Sequence, residues 1–238
     1  IIKMSNFCRT KILASIKSLN EIGLVLKKGV DIIDFKDPSV GSLGALSIKQ
    51  ISFFLKSIPS NQLTSATIGD IKDIKIIKQK VIELSKTSID FIKIGFFFDE
   101  KKIKLLKNLK KLVKNKKIIA VLFADNKPNV NLIREIKKIQ FDGILIDTKN
   151  KKNSNLRNYL SMKKLKNFIK VSRKENLSIG LAGSLNIKDI DPLIKLKPDY
   201  LGFRGALCMA KKRKDNISEI LLDRIISRFR FFSFQKTI

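Results

Sequence analysis

A closed, eight-stranded parallel barrel wrapped by helices, the (β/α)8 or TIM-barrel class, is the fold predicted for this chain of 238 residues. Three observations predict it. Eight short apolar runs alternate with eight longer stretches of helical periodicity. Strict alternation of that kind builds a parallel sheet covered by helices. Eight such units in this length fit one closed barrel better than an open sheet, and no linker or low-complexity insert marks a second domain.

The elements follow in order. Residues 1–10 read as an N-terminal extension, and the barrel is placed over 11–230. Its first strand is KILASI (11–16), followed by a helix over 19–28 and the strand DIIDFK (31–36). The stretch 47–57 carries Ile48, Ile51, Phe54 and Leu55 at helical spacing and leads to LTSATIG (63–69). A helix over 73–86 precedes FIKIGFF (91–97), and one over 99–114 precedes IIAVLFAD (118–125). A helix over 130–139 leads to DGILIDT (142–148). Ser161 is the predicted N-cap of a helix over 161–175, which returns to SIGLAGS (178–184). Asn186 is placed likewise before a helix over 187–195, then YLGFRGA (200–206) and a final helix over 216–229. Residues 231–238 end an aromatic, basic tail, FRFFSFQKTI.

Composition narrows the chemistry. There is no histidine, which excludes Ser-His-Asp and Cys-His catalysis and histidine-based zinc sites. Cys8 and Cys208 are too few for a disulfide framework or a four-cysteine metal site, so no metal is expected and a reducing, cytoplasmic setting is. No charge-free apolar run reaches the roughly 18 residues that span a bilayer, so no membrane partner is expected. The formal net charge is +29. A nucleic-acid partner is the weaker reading of that excess. Lysines are spread over the whole chain and accompany abundant Ile and Asn, as AT-rich codon usage would produce. A basic surface still favours phosphorylated small molecules.

In a barrel of this class the chemistry sits at the C-terminal ends of the strands. Alternation in the second strand puts Asp34 and Lys36 on one face and Ile33 and Phe35 on the other. The fourth strand repeats the device with Phe91, Lys93 and Gly95. Inward charges are costly unless paired or used. An amine partly out of water and near another amine gives up its proton more readily, which suits a Schiff-base nucleophile or a general base. Asp147 and Thr148 end the sixth strand, and Lys151 follows in its loop. Asp70 and Asp125 stand at the rims of the third and fifth. Gly183, Ser184, Arg204 and Gly205, after the last two strands, are the candidate phosphate site, aided by the helix that begins near Asn186, with Arg204 either a phosphate ligand or an alternate-face residue in the barrel shell. The loop PSVGSLGA (38–45) is a second candidate anion cradle.

The segments DIIDFKDPSVGSLGA, LTSATIGD, DFIKIGFF, DGILIDTKNKKNSNLRNYLS, LAGSLNIKDI and DYLGFRGALC carry a resemblance. Taken together, the chain resembles the (5-formylfuran-3-yl)methyl phosphate synthases of methanofuran biosynthesis, from Lys11 to Cys208 and in the final helix. The resemblance implies a TIM-barrel lyase that condenses two glyceraldehyde 3-phosphate molecules into a phosphorylated hydroxymethyl-furaldehyde, with loss of phosphate and water. It implies Lys36 as the Schiff-base lysine, Lys93 as the proton acceptor, and Asp34, Asp147 and Lys151 as further site residues. It implies no cofactor, with phosphorylated triose as the partner, and is compatible with a homo-oligomer. Departures lie in loops: IKDIKIIKQK after SATIGD lacks Pro and Gly, FADNKP follows the fifth strand, and Asn153 replaces a family Gly. The alternatives are another Schiff-base phosphosugar aldolase on this barrel, or a basic nucleic-acid-binding protein.

Overall fold

The computed structural model describes residues 9–113, 115–150 and 155–234. Eight parallel strands close on themselves in sequence order: β1 (Lys11–Ile16), β2 (Ile32–Phe35), β3 (Leu63–Thr67), β4 (Phe91–Gly95), β5 (Lys117–Phe123), β6 (Gly143–Asp147), β7 (Ser178–Leu181) and β8 (Tyr200–Phe203), with β8 pairing back onto β1. Among the described residues the outer layer holds α1 (Leu19–Lys28), α2 (Ile48–Leu55), α3 (Ile74–Ser85), α4 (Leu109–Leu112), α5 (Leu132–Lys138), α6 (Leu156–Tyr159), α7 (Met162–Lys174), α8 (Ile187–Lys195) and α9 (Glu219–Phe234). None of these helices is long and apolar enough to cross a membrane.

Local chemistry sets the boundaries. Ser47 and Gln50 form a capping box on α2, Asp73 caps α3, and Ser161 accepts from Lys164 N at the start of α7. Asn186 caps α8 in a second box with Asp189. The side chains of Ile33, Phe35, Ile92, Ile94, Ile144 and Ile146 face outward into the sheet–helix core, while Leu13, Ile32, Val121, Phe123, Leu145 and Tyr200 fill the barrel interior.

At the N-terminal ends of the strands, one device repeats four times. Asp31, Asp90, Asp142 and Asp199 each precede an even-numbered strand. Each accepts a backbone N–H at the start of the preceding odd strand, from Ile12 (2.8 Å), Thr64 (2.8 Å), Ile118 (2.8 Å) and Ile179 (2.6 Å) respectively. A charged acceptor at each strand start satisfies an N–H that lies below the ladder.

Strands β3, β4, β5, β7 and β8 end two or three residues before their expected ends, and three helical segments also differ from expectation. The predicted helix over 99–114 is a 3-10 helix over Glu100–Leu106, broken at Asn108 (φ 70°), followed by the single turn of α4. Its buried residues Ile103, Leu106 and Leu109 recur every third position, the period of a 3-10 helix and not of an α-helix. The short α6 was unanticipated. It sits on a capping box of Asn155 and Asn158. The last helix starts at Glu219 and continues to Phe234, so it takes in part of the segment expected as a tail from 231.

Candidate active site

Strand register assembles the site. Ser15 on β1, Asp34 on β2 and Ser65 on β3 are neighbours in the ladder, so their side chains share the barrel interior. Both hydroxyls donate to the Asp34 carboxylate, Ser15 to Oδ2 and Ser65 to Oδ1, each at 2.7 Å. Lys93 lies beside Thr67, one layer nearer the rim, and its Nζ forms an ion pair with Asp34 Oδ1. Lys36 stands one residue beyond the end of β2, where its N–H donates to Ile16 O. Its Nζ lies 3.8 Å from Asp147 Oδ2 at the end of β6. Asp147 Oδ1 accepts the Thr148 N–H at 2.7 Å. Asp34, Lys36, Lys93 and Asp147 are all buried, with at most 6% of each residue exposed. The structure thus places two lysines, each against a carboxylate, inside one barrel. Lys151 lies outside the described residues.

These groups line a cavity of about 570 Å3, together with Gly183–Asn186, Gly202–Ala206, Lys211 and Arg213. That volume is within the range of small-molecule sites. The cavity is off-centre, and the loop 38–45 explains why. This loop was predicted as an anion cradle, but it is occupied by the protein's own carboxylate. Asp70 accepts Ser42 N (2.8 Å) and Leu43 N (2.7 Å). Gly41 sits at φ 64°, and a Cβ there would come within 2.3 Å of Asp70 Oδ2. The loop so held drives Leu43 into the barrel interior beside Phe97 and Phe123. It therefore fills the interior beside β5, and the cavity is lined from β1, β2, β6, β7 and β8, with Lys93 of β4.

At the β7 and β8 loops, Gly183 takes φ 105°, and a Cβ would lie 2.9 Å from Thr148 N. Ser184 follows at φ 50°, and α8 starts two residues after Leu185. Gly183, Ser184 and Gly205 all line the cavity, as the candidate phosphate site requires. Arg204 is placed differently from an anion ligand. Its guanidinium is committed to Glu21 Oε2 (2.8 Å), Ser15 O (3.1 Å), Arg213 O (2.8 Å) and Asp215 O (2.6 Å). Four of its five N–H donors are spent inside the protein, so Arg204 serves as a clamp. Asp125, predicted at the rim, accepts Lys149 N and Asn150 N and so holds the β6 loop.

The sequence reading passed over Arg213. It is half-buried on the cavity wall. Burial lowers its pKa from the ordinary arginine value, and Asp147 pulls the other way. The signal that could have found it is the basic run KKRK (211–214), seven residues after Arg204 at the mouth.

The fold and site define a single TIM barrel whose mouth holds two buried lysine–carboxylate pairs. Solved structures agree on the fold. A phosphoribosyl anthranilate isomerase from Thermus thermophilus superposes with a TM-score of 0.65 at 10% identity, covering 94% of this chain and 100% of its own. A 3-hexulose-6-phosphate synthase gives a TM-score of 0.65 at 14% identity, covering 92% and 99%. The sequence comparisons are more specific. The family model described as 4-HFC-P synthase matches residues 12–226, and the chain belongs to that family. It is similar to the (5-formylfuran-3-yl)methyl phosphate synthase of Methanococcus maripaludis strain C7, at 30% identity covering 88% of this chain and 97% of that one. The synthase of the same name from Methanothermobacter thermautotrophicus is 29% identical, covering 79% and 85%. A Methylorubrum extorquens protein provisionally named for this activity is 33% identical, covering 87% and 86%.

Proposed function

We propose that this chain is a (5-formylfuran-3-yl)methyl phosphate synthase serving methanofuran biosynthesis. It would act as a lyase that joins two glyceraldehyde 3-phosphate molecules with loss of one phosphate and two waters. The observation that carries the reading is the pair of buried lysines, Lys36 beside Asp147 and Lys93 bonded to Asp34, facing one cavity.

The amine of Lys36 adds to the carbonyl of one triose phosphate and expels water to give an iminium. Asp147, 3.8 Å away, is placed to exchange the protons of that step. The iminium acidifies the adjacent C–H, and Lys93, once its own proton has passed to the Asp34 carboxylate it is paired with, takes that proton as the neutral amine. The resulting enamine attacks the aldehyde of the second triose. Ring closure, dehydration and phosphate elimination then release the aromatic furan and the free lysine. Orientation of two anions in a dry pocket supplies much of the rate. Gly183, Ser184 and Gly205 offer backbone N–H groups to a phosphate, supported by the N-terminal end of α8. Lys151 keeps the role that the family resemblance implies for it. The scheme needs no metal or organic cofactor.

The test is turnover of glyceraldehyde 3-phosphate, followed by furan absorbance and product mass. The native protein is expected to form the furan. Lys36→Arg keeps the charge but has no amine able to form the iminium, and should abolish turnover. Lys93→Ala should slow it by about 100- to 10,000-fold. A non-aromatic sugar phosphate as product would favour an aldolase, and furan formation by Lys36→Arg would contradict the scheme.

A further inference from the structure

Two triose phosphates bring two phosphate groups into one cavity, and the backbone loops at Gly183–Ser184 and Gly205 account for one of them. The loop 38–45 does not accept the other, because Asp70 already takes its N–H groups. Two further cations stand on the wall, the exposed Lys211 and the half-buried Arg213, and Arg213 is the one held in place.

Its backbone is held on every side. The Arg204 Nε donates to the Arg213 carbonyl at 2.8 Å, and Arg204 also donates to Asp215 O at 2.6 Å. Lys17 Nζ donates to the Lys214 carbonyl. Glu21 holds Arg204 and accepts the Ile217 N–H at 3.1 Å. The side chain is another matter. Among the described residues, the Arg213 guanidinium makes no hydrogen bond or ion pair. A half-buried guanidinium on a pinned backbone, with its donors unspent, is costly unless a ligand uses it. Its planar fork matches a phosphate monoester through two parallel hydrogen bonds. Arg213 lines the same cavity as Lys36, Lys93, Gly183, Ser184 and Gly205.

We propose that Arg213 is the ligand for the second phosphate, that of the triose whose phosphate does not rest on the Gly183–Ser184 backbone. The assignment of that anion to a triose rests on the function proposed above. Arg213 then sets the spacing between the two substrates: the loops of β7 and β8 fix one phosphate, and the clamped loop after β8 fixes the other. It also selects for a phosphorylated partner in the condensation step.

The test uses the full chain with Arg213→Gln and Arg213→Lys. Inorganic phosphate is titrated calorimetrically, and borohydride trapping of glyceraldehyde 3-phosphate is compared with furan formation. Losing a charged, bidentate contact should weaken phosphate binding at one site by about ten- to a hundredfold in Arg213→Gln. Arg213→Lys, which keeps the charge without the fork, should fall between. In Arg213→Gln the first-triose adduct should still form at native concentrations, while furan formation should need about tenfold more substrate or beyond. Unchanged thermal unfolding would show that the fold is intact. Phosphate binding equal to the native protein would overturn the site. Adduct and furan formation shifted equally would overturn its assignment to the second triose. A native protein that loses phosphate on Arg213→Gln yet makes no furan would leave the anion site standing and remove the triose reading.

Discussion

Asp34 carries more of the site than its single charge suggests. It accepts from Ser15, Ser65 and Lys93 at once, and these come from three other strands. Taking an ammonium out of water is tolerable only while that acceptor remains, because a lone buried charge costs far more than a missing pair. Asp34→Asn should therefore lower unfolding free energy by about 3–5 kcal/mol in denaturant titrations. Adding Lys93→Met to it should recover most of the loss. Additive losses in the double variant would show that the pair is not coupled. Strand alternation made Asp34, Lys36 and Lys93 legible in the sequence, because a two-residue period needs only local information. Alternation left the direction of Arg204 open, and its place after the last strand suggested an anion ligand. Its partner Glu21 is 183 residues away, and no local pattern announces that it will take the guanidinium.

The loop from Gly205 to Ser218 shows how an element is fixed by one ion pair. Glu21 lies in the first turn of α1, where the helix N-terminus favours a carboxylate, and it also accepts the Lys17 N–H at 2.7 Å. Through Arg204 it ties α1 to residues 213 and 215, and it accepts the Ile217 N–H directly. Glu21→Gln removes the charge and leaves Arg204 buried without a counterion. Trypsin cleavage in the run Lys211–Lys214 should then speed up by at least about tenfold, since cleavage reports local opening. Cleavage at the native rate would show that the clamp is dispensable. Elements with strong periodicity were legible, and the capped starts of α7 and α8 fell where Ser161 and Asn186 predicted them. The broken fourth helix was not, because a lysine-rich stretch reads as helix until the three-residue recurrence of Ile103, Leu106 and Leu109 is noticed. The aspartates at 31, 90, 142 and 199 were visible too, one before every second strand, but their bonds to the neighbouring strand need the closed sheet to interpret.

At the scale of the molecule, the barrel is asymmetric in use. Leu43, Phe97 and Phe123 fill one side of the barrel interior, and the cavity lies to the other side, where β2, β4, β6, β7 and β8 deliver the two lysines, their carboxylates and the backbone loops. Eight alternating units made the closed barrel readable from the sequence. The plug was not readable, because a Gly/Ser-rich loop has the same composition whether it cradles a ligand or an internal carboxylate such as Asp70. The proposed chemistry turns on Lys36 as the covalent residue, with Lys93 as the base in the same cavity. Borohydride added during turnover of glyceraldehyde 3-phosphate, followed by peptide mass mapping, tests this most directly, since reduction fixes an imine as a stable secondary amine. The adduct is predicted on Lys36 in the DIIDFK peptide. An adduct on Lys93 instead, or no adduct while the furan still forms, would contradict it.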